Sequence, residues 1–153
     1  MEELGIHGGN GQSYGYIIYR KELPLAAGTR IKIRGHIRDL LQVMINGEMV
    51  SEPVLSSIHL LNTFGSWAIR DSEFVIPEGW SCPTETCTLE LMVENLGRAN
   101  FGAPHNFNQK KGLWEGDILI DGQVVDGWYH TPVELEDEFI KSLSSWKTLT
   151  GWS

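Results

Sequence analysis

The stretch Leu41-Gln42-Val43-Met44-Ile45-Asn46-Gly47-Glu48-Met49-Val50 decides the fold. Leu41, Val43 and Ile45 alternate with polar or flexible residues, the period of a strand with one buried face. They run into Asn46-Gly47, the strongest two-residue hairpin signal, because both residues accept the positive φ of a type I′ turn. Met49-Val50 resumes on the far side.

The same pattern continues in both directions. Tyr14–Arg20 is dense in aromatic and β-branched residues, and Ile31 and Ile33 alternate with Lys32 and Arg34. Further strands are expected over Ser57–Leu61, Ser66–Ile69, Glu73–Ile76, Thr88–Val93, Gly116–Ile120 and Gln123–Tyr129, with Asp121-Gly122 as a second hairpin turn. Short strands separated by turn residues, without intervening helices, indicate an all-β antiparallel sandwich or jelly roll. Helical spacing appears only near the end. Leu135, Phe139, Leu143 and Trp146 share one face, and Glu134, Glu136, Asp137 and Glu138 load the first turn with acid, as the helix dipole favours. The expected organisation is a jelly-roll β-sandwich over 1–133, then a short helix and a linker-like tail over 134–153.

Composition narrows the function. The chain has 153 residues, one domain by length, and 12 Lys and Arg against 20 Asp and Glu, a net charge of -8. That balance argues against nucleic acid or an anionic membrane surface as partner, since both need a basic footprint. No apolar run approaches the roughly 18 residues of a membrane helix. The opening Met1–Gly5 lacks the basic and apolar regions of a signal peptide, and the reading expects a segment of something longer.

Motifs that suggest chemistry fail on context. Gly11-Gln12-Ser13-Tyr14-Gly15 fits the spacing of a serine hydrolase elbow, but that turn needs a strand before it and a helix after it, and here a strand follows. Gly8-Gly9-Asn10-Gly11 lacks the helix N-terminus of a phosphate cradle. The five histidines show no metal-binding spacing, so no metal or cofactor is expected. Among acids such as Asp39, Glu48, Asp71, Glu73, Glu94 and Asp117, most sit where a solvated sheet face or turn would place them, and no pair stands out for glycoside hydrolysis. Cys82 and Cys87 fit either a local disulfide, in a secreted parent, or two inert thiols. Trp67, Trp80, Trp114 and Trp128 read first as core-filling rings. If a sugar platform exists, Trp67 and Trp114 are its candidates, with Arg98 and Asn100 bonding hydroxyls.

Three stretches together resemble a family. Gly11–Arg20 is similar to the opening strand of the first non-catalytic β-domain in family 35 glycoside hydrolases, the β-galactosidases and their paralogues. Arg38-Asp39 with Gln42-Val43 and Ile45-Asn46-Gly47 is similar to that domain's next signature. Leu91–Gly102, with Lys111-Gly112-Leu113 and Gly127-Trp128, resembles the third. The resemblance implies a galactose-binding-like jelly roll beside a separate (β/α)8 catalytic barrel for which this chain has no room. Glu94-Asn95-Leu96-Gly97 superficially resembles the family's acid/base motif, but Leu96 stands at the catalytic position and cannot transfer a proton. The implied function is a non-catalytic accessory domain packed on that barrel, not an enzyme in isolation; the alternative is a free-standing lectin-like module with weak galactoside affinity. The segment over 62–87 reads as longer than the family's usual connection. The family's setting is lysosomal or secreted; no Asn-x-Ser/Thr sequon is present, and localisation stays unassigned. Structural roles fall to Asn46 and Gly47 at the hairpin, to Gly97 and Gly102 at tight turns, to Arg98 pairing with a carboxylate or loop carbonyls, and to Asn95 and Asn100 bonding the backbone.

Overall fold

The computed structural model describes residues 1–52, 63–104, 107 and 109–143. Among these residues there are nine strands: β1 (Tyr16–Leu23), β2 (Arg30–Ile33), β3 (Leu40–Ile45), β4 (Glu48–Met49), β5 (Glu73–Val75), β6 (Cys87–Glu94), β7 (Ile118–Ile120), β8 (Gln123–Val124) and β9 (Tyr129–Val133). One sheet has the order β4-β3-β6-β1-β9 and the other β5-β2-β7-β8. Every pairing is antiparallel. The expected all-β sandwich is therefore the fold.

The alternation seen in sequence is what builds the core. Ile17 and Tyr19 of β1, Val43 and Ile45 of β3, and Leu89, Leu91 and Val93 of β6 face Ile31, Ile33 and Ile118 of the second sheet in one buried cluster. Each fully buried aliphatic side chain contributes roughly 1.5–3 kcal/mol relative to exposure. At the β3–β4 hairpin Ile45 pairs with Glu48 across Asn46 (φ 53°) and Gly47 (φ 79°), the two left-handed positions of a type I′ turn. The Asn46 side chain also accepts a hydrogen bond from the Thr88 N–H at 2.9 Å, anchoring the turn to β6.

Several expectations need correction. Ser66–Ile69 is not a strand: only Ser66 forms an isolated bridge, to Leu40, and Trp67-Ala68 turn away. The Gln123–Tyr129 stretch splits into β8 and β9, which belong to different sheets. Gly127 has φ 70°, and the Trp128 indole N–H donates to the Val125 carbonyl at 2.6 Å, closing a turn between the two. The helix, α1, spans Asp137–Leu143, starting later than its acid-rich approach suggested, and Leu135 precedes it exposed. The stretch 57–61 and Trp146 lie outside the described residues. Among the described residues the core is mostly aliphatic, with Tyr19 the aromatic ring in it. Trp80 and Trp128 pack against its edge, whereas Trp67 and Trp114 are 44% and 47% exposed.

Cys82 and Cys87 are joined by a disulfide with Cα atoms 5.8 Å apart, just before and at the start of β6.

Candidate functional site

The loop after β6 and the chain leading to β7 enclose the most chemically varied surface. The β6–loop junction is fixed by Asn95, whose side-chain amide donates to the Ser13 carbonyl at 2.9 Å and whose oxygen accepts from the Gly97 N–H at 2.9 Å. Asp39 accepts the Leu96 N–H at 2.8 Å, so the loop leaves the sheet over a buried carboxylate. Lys111 donates to both oxygens of Asp39, at 2.8 and 2.6 Å, and each residue is under one-tenth exposed. Most of the acids are expected on a solvated face or turn, and Asp39 is an exception: it is the anchor of a buried ion pair. Two charges removed from water persist only when paired and hydrogen-bonded, as here.

Above that pair lies a hollow of about 410 Å³, walled by Trp67, Leu96 and Phe101 and edged by Arg38, Arg98 and Gln109. Phe101 is 92% exposed. Arg98 donates to the Gln109 carbonyl at 3.1 Å and pairs with Glu2 at 2.8 Å, so it meets both partner types expected for it, carbonyl and carboxylate. Arg38 donates twice to one oxygen of Glu115, at 3.0 and 2.7 Å, while the backbone N–H and ring Nδ1 of His36 lie 3.0 and 2.8 Å from the other. Burial pushes the Glu115 carboxyl up, but the bonds from His36 and Arg38 outweigh it and hold the group below its ordinary value. Glu2 is likewise pushed up by burial and held down on balance, chiefly by the Lys111 N–H.

The candidate sugar residues do not form one site. Trp67 and Arg98 share the hollow just described. Trp114 lines a different one, also of about 410 Å³, with Trp128 and His130. Asn100 is exposed and outside both linings; among the described residues its side chain makes no backbone bond of the kind expected. Gly97 and Gly102 do adopt positive φ, 97° and 126°. Ser13 is exposed and leads directly into β1, so the hydrolase elbow is absent. Sequence reading does not single out Glu115, Glu2 or Gln109, and it places Lys111 in a family stretch without showing its pairing with Asp39. The partners of Glu115, Glu2 and Lys111 lie far away along the chain, where nothing local marks them.

Residues 70–134 match the family model described as the first all-beta domain of β-galactosidase. Pairwise similarity extends over nearly the whole chain. It is 31% identical over 149 residues to human Beta-galactosidase-1-like protein 3, covering 96% of this chain and 19% of that protein. To Beta-galactosidase 1 of Dictyostelium discoideum it is 24% identical over 144 residues, covering 93% and 20%. To the Beta-galactosidase of Macaca fascicularis it is 27% identical over 141 residues, covering 89% and 17%. The chain thus has an all-β sandwich whose sequence is similar to the β-domains of β-galactosidases and β-galactosidase-like proteins, and it spans about a fifth of the length of these relatives.

Proposed function

We propose that this chain is a non-catalytic accessory domain of a β-galactosidase-like glycoside hydrolase, packed beside a catalytic barrel that lies elsewhere in a longer parent. One observation carries the reading: nearly the whole chain aligns with β-galactosidases and β-galactosidase-like proteins, residues 70–134 match their first all-beta domain, and the aligned part is only about a fifth of those longer proteins. The exposed Trp67, Leu96 and Phe101 then serve as the packing face. Phe101→Ser tests this in two contexts. In the isolated chain the change leaves the thermal midpoint where it was, because the ring is already in water. In a protein that carries both the domain and its barrel it lowers the midpoint. An unchanged midpoint in the longer protein would show that this face packs on nothing.

A second reading is favoured by the meeting of Trp67 and Arg98 in one hollow: weak galactoside binding, with the indole under the apolar face of the sugar and Arg98 and Gln109 at its hydroxyls. A shallow site with about one stacking contact gives a dissociation constant near 1 mM. Titration of galactose and lactose to tens of millimolar, followed by amide shifts around Trp67, supports it if the shifts saturate and removes it if they do not.

A further inference from the structure

The two hollows differ in charge. The Trp67 hollow is edged by Arg38, Arg98 and Lys111, whereas the Trp114 hollow is rimmed by the acids Glu3, Asp117 and Asp126. We propose that the hollow lined by Trp114 and Trp128 binds an organic ammonium group.

The indoles are held in place by their own polar ends. Trp114 Nε1 donates to the Lys110 carbonyl at 2.7 Å and Trp128 Nε1 to the Val125 carbonyl at 2.6 Å. With both N–H groups occupied by the protein, the rings have no free donor for a ligand, and an indole π-face attracts cations. The loop carrying Trp128 is pinned again by Lys21, whose ammonium donates to the Asp126 and Gly127 carbonyls at 2.5 and 3.2 Å. Ile17, Ile118 and Val125 make an apolar wall suited to methylene or methyl groups.

The rim supplies the charge. Asp126 forms no ion pair among the described residues, and Asp117 has only a distant one, to Arg34 at 3.9 Å, while itself 51% exposed. Glu3 is paired with Lys110. The cations that reach the hollow are neutralised from outside it: Lys111 by Asp39, and the Met1 ammonium by Glu2 at 3.5 Å. Burial and then the Met1 ammonium push the His130 imidazole toward its neutral form. Carboxylates accept hydrogen bonds and cannot donate, so the free groups at this rim call for a donor-bearing or cationic ligand. The net charge of -8 raises the local concentration of cations further.

The test is titration of the oxidised chain with tetramethylammonium, Nα-acetyl-lysinamide and galactose, followed by the indole N–H resonances of Trp114 and Trp128. The expected result is saturable shifts with one or both ammonium compounds at about 1 mM, tightening as salt falls from about 200 to about 20 mM. A stronger response to the quaternary ion points to a small methylated ligand, and one to lysinamide points to a lysine of a protein segment. Trp114→Ala should weaken binding about fivefold or more, and Asp126→Asn should weaken it and flatten the salt dependence. Both side chains are at the surface, and circular dichroism verifies folding; if the Trp114 variant does not fold, Asp126→Asn decides. No saturable response to either ammonium, an equal response to galactose, or binding unaffected by Asp126→Asn would overturn the proposal. Because the readout lies at Trp114 and Trp128, neither result bears on the packing role of Phe101.

Discussion

Lys111 Nζ lies 2.6 and 2.8 Å from the two carboxylate oxygens of Asp39, under the loop that leaves β6. The contact joins the end of the first sheet to the chain that leads into β7, and Asp39 also holds the Leu96 N–H. Removing one partner leaves an uncompensated buried charge. Lys111→Met should therefore cost about 3–5 kcal/mol in denaturant unfolding, while the double change Asp39→Leu/Lys111→Met should recover part of that loss. A single variant as stable as the parent chain would mean that the pair is hydrated in solution.

Glu115 gives the chain a defined acid limit. Its carboxyl is held below the ordinary value of 4.5, so the folded state binds its proton less readily than the unfolded state does. The stability this supplies is complete above about pH 4.5 and is lost as pH falls through the lower, folded-state value. Glu115→Gln should lower stability at pH 7 and flatten its fall on acidification, as read from urea midpoints across pH 3–7 on the order of one unit apart. An identical acid profile in the variant would place the acid sensitivity elsewhere.

Gly112 should tolerate no side chain. Its φ is 100°, and an added Cβ would stand 2.4 Å from Tyr19 Oη. That hydroxyl accepts the Leu113 N–H at 2.8 Å, so Gly112→Ala both strains the backbone and displaces the bond. The expected loss exceeds about 1 kcal/mol in thermal or denaturant unfolding. Gly122→Ala, at a turn with nothing within 4 Å of the added methyl, is the control and should cost less.

How much of the fold and site was legible in the sequence depends on distance along the chain. The β3–β4 hairpin is local: alternation and Asn46-Gly47 suffice, and the turn stands where they place it. The break at Val125–Trp128 was also written locally, in Asp126-Gly127, but the run of β-forming residues around it masked a switch between sheets. Ser66–Ile69 has strand-like residues but pairs only through Ser66, and composition does not reveal pairing. The pairs Asp39–Lys111, His36–Glu115 and Arg98–Glu2 join positions remote in sequence, where charge type is visible and the partner is not. Trp67 and Arg98 are visible in the sequence as a ring and a guanidinium; only the fold shows that they share a hollow and that Trp114 does not.

We propose a boundary between the sandwich and the C-terminal helical segment at residues 133/134. Val133 closes β9, and its carbonyl accepts the buried Gln12 side chain at 3.3 Å. A chain ending at residue 136, which keeps the His7–Glu134 contact, should unfold cooperatively with a midpoint close to that of the 153-residue chain. A collapse of the midpoint on removing α1 would make the helix part of the sandwich.

The most direct measurement is hydrolysis of a chromogenic β-galactoside by the purified, oxidised 153-residue chain. The account predicts no turnover above the uncatalysed rate at any pH from about 4 to 8, the range over which glycosidase carboxyl pairs operate. Turnover that tracks the chain through purification, and disappears when one of its own carboxylates such as Glu94 or Asp117 is changed to the amide, would contradict it.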